Sequence, residues 1–189
     1  MGVRYNRAAA AAYAERYWNG KSPGFPRFAR DSMNFISQAL WAGGWPMHRA
    51  DDDGRGWWMN RAGSAWSRSW AVVDSFHAML AEGLDGPPAV PVRSPDVLAV
   101  GDIILYDWEG NGRWTHVAIV TAMGGDGSPL VSAHSDDVVR AHWTLRGSPR
   151  WLVRTAYSYW HLADDTLRLA IPGAGVGQVE SLTGRLTAP

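Results

Sequence analysis

The chain of 189 residues contains no cysteine, which excludes a disulfide framework and any thiolate metal site. It also has no excess charge of either sign, because 18 basic residues balance 18 acidic ones. A general electrostatic attraction to nucleic acid or to an acidic membrane is therefore not predicted. No apolar run approaches the roughly 18 residues of a transmembrane helix, so no membrane partner is predicted either.

A signal-peptide pattern is also missing, since residues 1–17 lack a charged region followed by an apolar one. Taken as it stands, the chain is expected to be cytoplasmic, whereas a chain trimmed from a secreted protein would show the same pattern. The length predicts one domain, which we place at residues 1–163. Residues 164–189 are glycine-rich in part and have little to bury, so they are predicted to form a C-terminal extension or tail.

Tryptophan is abundant instead, with 12 residues, six of them between positions 41 and 70. Large aromatic side chains dominate burial, so one interpretation of this stretch is that it covers the core. The other is that it forms a wall of a substrate cleft. In that interpretation Trp57 and Trp58 contact substrate, and Trp114 is a further candidate.

The stretch RDSMNFISQAL at residues 30–40 predicts the start of a helix. Asp31 can accept hydrogen bonds from the free backbone N–H groups of the first turn, and Gly43 suits the helix exit. Ser32 then lies where the N–H groups and the helix dipole stabilise an anion. It is either one more hydroxyl at a helix start or a nucleophile.

Strands are predicted later in the chain, at 102–106, 116–121, 130–134 and 152–160, separated in part by glycine-rich turns. Helices followed by antiparallel strands predict an α+β fold. His116 begins the second strand and shares a face with Ala118 and Val120. If that face meets the helix that starts near Asp31, His116 can approach Ser32.

Several motifs in order resemble the putative bacterial amidase domain family, which is related to NlpC/P60 peptidases and to papain-like cysteine hydrolases. The motifs are DSMNFISQ at 31–38 with glycines at 43 and 44, GDIILY at 101–106, HVAIVT at 116–121 and SAHSD at 132–136. The resemblance runs from about Tyr5 to about Leu162. It implies a papain-like α+β fold, with N-terminal helices packed on a small antiparallel sheet.

The resemblance also implies a catalytic set. The family has cysteine at the nucleophile position, where this chain has Ser32. His116 would be the general base, and His134 would orient it, with Asp136 as the rival orienting group. The backbone N–H of Ser32 would help to hold an oxyanion. Asp31 is a further candidate substrate contact.

The predicted activity is hydrolysis of an amide or peptide bond through an acyl-enzyme, acting on a peptide or small amide, without a cofactor. Ser32 would then be a replacement that inactivates the enzyme or was engineered into it. Two alternatives remain open: a native serine nucleophile, and a non-catalytic module that binds a peptide or glycan. No metal site is predicted, because the histidines and aspartates lack the helical spacing of a zinc motif. The oligomeric state cannot be read from the sequence.

Overall fold

The computed structural model describes residues 5–49, 56–83 and 89–162, and the predicted tail at 164–189 lies outside them. Four α-helices are described, and their bounds are α1 Arg7–Tyr17, α2 Ser32–Ala42, α3 Arg68–Ala71 and α4 Val73–Glu82. A 3₁₀ helix covers Pro95–Val97. None of these helices is both long and apolar enough to span a membrane.

Two antiparallel sheets accompany the helices. The small one pairs β1 His48–Arg49 with β2 Gly56–Trp57. The large one has six strands in the order β3-β8-β4-β5-β6-β7. Its strands are β3 Ala89–Val92, β4 Ile103–Asp107, β5 His116–Met123, β6 Pro129–Ala133, β7 Val138–His142 and β8 Ala156–Leu162. The predicted α+β class is confirmed.

One face of the large sheet packs against the helices. Strand residues with odd numbers, Ile103, Leu105, Val117 and Ile119, join the apolar face of α2 in the first hydrophobic core. That face of α2 consists of Met33, Phe35, Ile36, Ala39 and Leu40, all at most 1% exposed. The apolar face of α2, which repeats every 3.6 residues, thus packs on the face of the sheet formed by every second strand residue. This packing positions the start of α2 against the sheet.

The opposite face of the large sheet carries a second hydrophobic core. It is built from the even-numbered strand residues Ile104, Tyr106, Ala118 and Val120 together with Leu145. Aromatic side chains from the chain between β7 and β8 cover this core. The sheet is therefore buried on both faces, by helices on one side and by loops on the other.

Most of the tryptophan-rich stretch is core. Trp45, Trp57 and Trp70 are at most 1% exposed and lie in the first core. The indole N–H of Trp57 donates to Ser37 Oγ at 2.9 Å. Trp57, a predicted substrate contact, therefore has no exposed side-chain surface in this structure.

Candidate functional site

Ser32 is the first residue of α2 and is 5% exposed. Asp31 precedes it, but the predicted side-chain cap is wrong, because the Asp31 carboxylate makes no capping hydrogen bond. The backbone N–H groups of Ser32 and Met33 consequently keep their capacity to bind an anion. The Ser32 hydroxyl makes no hydrogen bond within the described residues.

The Asp31 carboxylate is turned toward neighbouring segments instead. Its Oδ1 accepts from the backbone N–H of Phe28 and from Asn34 Nδ2, both at 2.8 Å. Its Oδ2 lies 2.7 Å from His134 Nδ1. Burial alone would raise the pKa of Asp31, but the hydrogen bonds from His134, Phe28 and Asn34 outweigh burial and lower it. Asp31 is therefore a buried anion whose two oxygens both bond to neighbouring segments and hold the start of α2.

His134 joins three elements at this point. Its Nε2 lies 2.7 Å from the carbonyl oxygen of Tyr17, at the end of α1. Its ring stacks on Phe35 of α2, with centroids 3.9 Å apart. Carboxylate and carbonyl both accept, so the ring satisfies both hydrogen bonds when both of its nitrogens carry protons. Asp31 and Tyr17 occupy both nitrogens of His134, so in this structure neither nitrogen bonds to His116, the residue that His134 was predicted to orient.

His116 lies on the other face of the sheet. Its ring packs beside Tyr106 and Trp108, with centroid distances of 5.4 and 5.3 Å, and Ala118 follows on the same face in the second core. The condition for His116 to approach Ser32 was that this face meets α2, and that condition fails. Alternation along the strand was predicted correctly, but it is Val117 that faces the helix.

The His116 ring is fully buried, and neither of its nitrogens has a hydrogen-bond partner. Burial lowers the pKa of His116 to about 4, while the Asp136 carboxylate opposes this shift and Arg150 adds to it. The ring is therefore neutral at pH 7. It is in the protonation state that a general base needs, although no hydrogen bond orients it.

Asp136 acts on His116 through its charge and not through a hydrogen bond. Its Oδ2 accepts from Ser148 Oγ at 2.6 Å, and its Oδ1 lies 3.6 Å from Arg150 Nε. Asp136 also borders a cavity of about 1020 Å³. The cavity is lined further by Val138, His142, Trp143, Leu145 and Arg146.

The other candidate contacts are placed as follows. Trp58 is 6% exposed, and the Arg49 guanidinium lies over its ring at 4.3 Å. Trp114 is half-buried and stacks on His77 of α4, with centroids 4.8 Å apart. Sequence reasoning missed Phe28, whose backbone N–H binds Asp31 and whose ring lies 4.7 Å from that of Trp66. No motif marked Phe28, because its role depends on the chain turning back beside Asp31.

The chain belongs to the family described as the putative amidase domain, which matches residues 4–157. Hydrolysis of amides is thereby supported at the level of the family. The chain is similar to the uncharacterized protein YhbB of Bacillus subtilis (strain 168), with 39% identity over 165 residues. The match covers 87% of this chain and 52% of YhbB, so the chain spans about half the length of that relative. No solved structure matches the chain.

Proposed function

We propose that the domain is a papain-like amide hydrolase in which residue 32 occupies the position of the nucleophile. The observation that carries the proposal is the start of α2. Residue 32 is there the first helical residue, beside N–H groups that Asp31 leaves uncapped, and the Asp31–His134 pair fixes it against the sheet. A nucleophile and an oxyanion site are thereby provided by one helix terminus.

The reaction would proceed through an acyl-enzyme. The residue-32 side chain attacks the amide carbonyl and loses its proton to a base, while the carbonyl oxygen becomes an oxyanion held by backbone N–H groups. The amine leaves with a proton, and water then hydrolyses the ester or thioester. His116 is the proposed base, since its nitrogens are free whereas those of His134 are occupied. His116 lies on the sheet face opposite α2, so a side-chain rotation alone does not bring it to Ser32, and the start of β5 would have to shift for it to act.

Serine at position 32 would make turnover slow. A thiol has a pKa near 8.5, which a helix N-terminus lowers further, whereas a hydroxyl remains protonated at neutral pH and depends entirely on the base. We propose that efficient turnover requires a cysteine nucleophile at position 32 and that Ser32 replaces this cysteine. The substrate would be a peptide or small amide.

The experiment is to compare Ser32→Cys with Ser64→Cys, a matched control that places the single thiol of the chain at an exposed position. Each protein is treated with iodoacetamide between pH 5 and 9 and assayed on a panel of peptide amides. A lowered thiol pKa should make Ser32→Cys react at least about tenfold faster than the control near pH 6. Hydrolysis should appear in Ser32→Cys alone and disappear on adding His116→Ala.

Equal alkylation profiles for the two thiols, with no hydrolysis by either, would contradict the proposal. A native serine nucleophile predicts instead that a fluorophosphonate labels the chain as it stands and fails to label Ser32→Ala.

A binding module is the second candidate, and two observations favour it. Ser32 has no hydrogen bond to a histidine, and a cavity of about 1020 Å³ lies beside Asp136. A peptide or glycan held there should still bind His116→Ala but be lost in Trp143→Ala, as measured by calorimetry. Binding that depends on Ser32 and not on Trp143 would count against this candidate.

A further inference from the structure

The loop between β4 and β5 has a pattern of oxygen-bearing side chains that the proposed reaction does not use. Asp107, Glu109 and Asn111 occupy alternate positions, and Gly112 follows directly. The first six positions of calcium-binding EF-hand loops have this spacing, with oxygen ligands at positions 1, 3 and 5 and glycine at position 6. This spacing differs from the helical spacing of zinc motifs.

Asp107 supplies an independent observation. It is 2% exposed, and its Oδ2 accepts from the backbone N–H of Gly112 at 2.7 Å, so the carboxylate points into the loop. Its Oδ1 is buried and has no hydrogen-bond partner. A buried carboxylate oxygen without a partner is costly, because it has lost its water and gained nothing in return. A cation beside Oδ1 would remove that cost.

The neighbouring groups are compatible with such an ion. Asn111 Oδ1 accepts from the backbone N–H of Arg113 at 3.1 Å and retains a second lone pair. Glu109 is engaged by Arg154, which donates to its carbonyl oxygen at 2.8 Å and lies 3.3 Å from its Oε2. Arg154 thus neutralises Glu109 but leaves the charge of Asp107 without a hydrogen-bonded partner at Oδ1.

We propose that the loop at residues 107–112 binds a divalent cation that prefers hard oxygen ligands, Ca²⁺ in particular, with Asp107 Oδ1 as the central ligand and Asn111 and Glu109 beside it. No group of three or more His, Cys, Asp or Glu side chains suited to a metal occurs in the described part of the chain. Backbone carbonyls and water must therefore complete the coordination, and the affinity should be modest, about 0.1–1 mM.

The loop lies next to His116, so an ion bound there would affect the surroundings of this histidine. Trp108, inside the loop, packs on the His116 ring, and the loop ends shortly before His116 itself. A bound cation would fix the loop and with it the aromatic wall around this histidine. The inference rests on Asp107 and not on the hydrolase proposal, so each can fail without the other.

The test is Tb³⁺ luminescence of the full chain, excited through tryptophan and competed with Ca²⁺. Trp108 lies inside the proposed site, so a bound Tb³⁺ should emit strongly. We expect a saturable signal that Ca²⁺ displaces. Asp107→Asn keeps the shape of the side chain and removes its charge. The apparent affinity for Tb³⁺ should fall at least about tenfold in this variant.

The matched control is Asp126→Asn, in the exposed turn between β5 and β6, where the carboxylate is already bonded to Ser128. It should bind like the unchanged chain. Asn111→Ala, at an exposed position, tests the site without touching the buried carboxylate and should also weaken binding. Absence of a Ca²⁺-displaceable signal, or an equal signal in Asp107→Asn and Asp126→Asn, would overturn the proposal.

Discussion

At the scale of the residue, the burial of His116 makes the stability of the folded chain sensitive to acid. A histidine whose pKa is about 4 in the folded chain and 6.5 otherwise takes up protons more readily when the chain unfolds. Its contribution to stability therefore falls as the pH drops from about 6.5 toward 4. We expect His116→Phe to remove this loss, which amounts to about 2 kcal/mol at pH 5.

Urea denaturation of both proteins at pH 7 and pH 5 measures the difference. The unchanged chain should lose more free energy of unfolding between the two pH values than His116→Phe does. The same loss in both proteins would show that the ring is not buried as described.

The sequence identified many of the individual residues of this region and missed their pairing. Alternation along β5 correctly placed His116 with Ala118 and Val120, because side chains alternate along any strand. Which of the two faces meets a helix depends on how the whole sheet packs, and no local pattern states that. The contact between Asp31 and His134 spans 103 positions, so the helix start alone suggested an ordinary cap for Asp31.

At the scale of the element, α1 and α2 approach closely at Gly43. A Cβ atom there would lie 2.6 Å from the Tyr5 ring, 2.9 Å from Ala10 Cβ and 2.9 Å from the Asn6 carbonyl oxygen. Gly43→Ala should therefore push the helices apart and cost about 1–3 kcal/mol of stability.

The control for this change is Gly20→Ala, because a Cβ atom at Gly20 meets nothing within 4 Å. Thermal unfolding of the two variants separates steric crowding from the general effect of replacing glycine. If Gly43→Ala melts at or above the temperature of Gly20→Ala, the close packing of α1 on α2 is refuted.

The sequence predicted the helices and strands that have clear hydrophobic periodicity and did not predict those without it. The α2 helix and β4, β5 and β6 lie close to their expected positions. β3 was hidden in a proline-rich stretch, where Pro91 is tolerated because β3 is an edge strand of the sheet. Residues 69–80 have the apolar spacing of one amphipathic helix, but the extended backbone of Val72 divides them into α3 and α4. The apolar residues keep helical spacing across the break, so periodicity alone could not reveal it.

At the scale of the whole molecule, the last described element, β8, ends at Leu162. The last strand, β8, pairs with β3 and β4, and the backbone N–H of Leu162 donates to the buried Asp102 at 3.0 Å. A chain ending at residue 163 should therefore melt within about 3 °C of the full chain. A chain ending at residue 155, which lacks β8, should show no cooperative transition by calorimetry. A large loss of stability in the first truncation would refute the predicted domain boundary.

The α+β class followed from the order of helices and strands, but the second core did not. Burial on both sheet faces requires the aromatic residues after β7 to fold over Tyr106 and Ala118, a contact between distant parts of the chain. Aromatic residues in a loop fit either a core or a cleft, so composition could not decide between them.

The buried ion pair of Arg7 has a consequence for the order in which the protein is made. Arg7 Nη1 binds Asp102, 95 positions later, and Arg7 Nη2 lies 3.0 Å from His161 Nε2, 154 positions later. A ribosome adding 5–20 residues per second needs roughly 8–30 s to make that span. During this time the first helix has been made while its last partner does not yet exist, and β4 has one open edge where β8 will insert. The nascent chain therefore carries α1 without the Asp102 and His161 partners of Arg7 until almost all of the described domain has been synthesised.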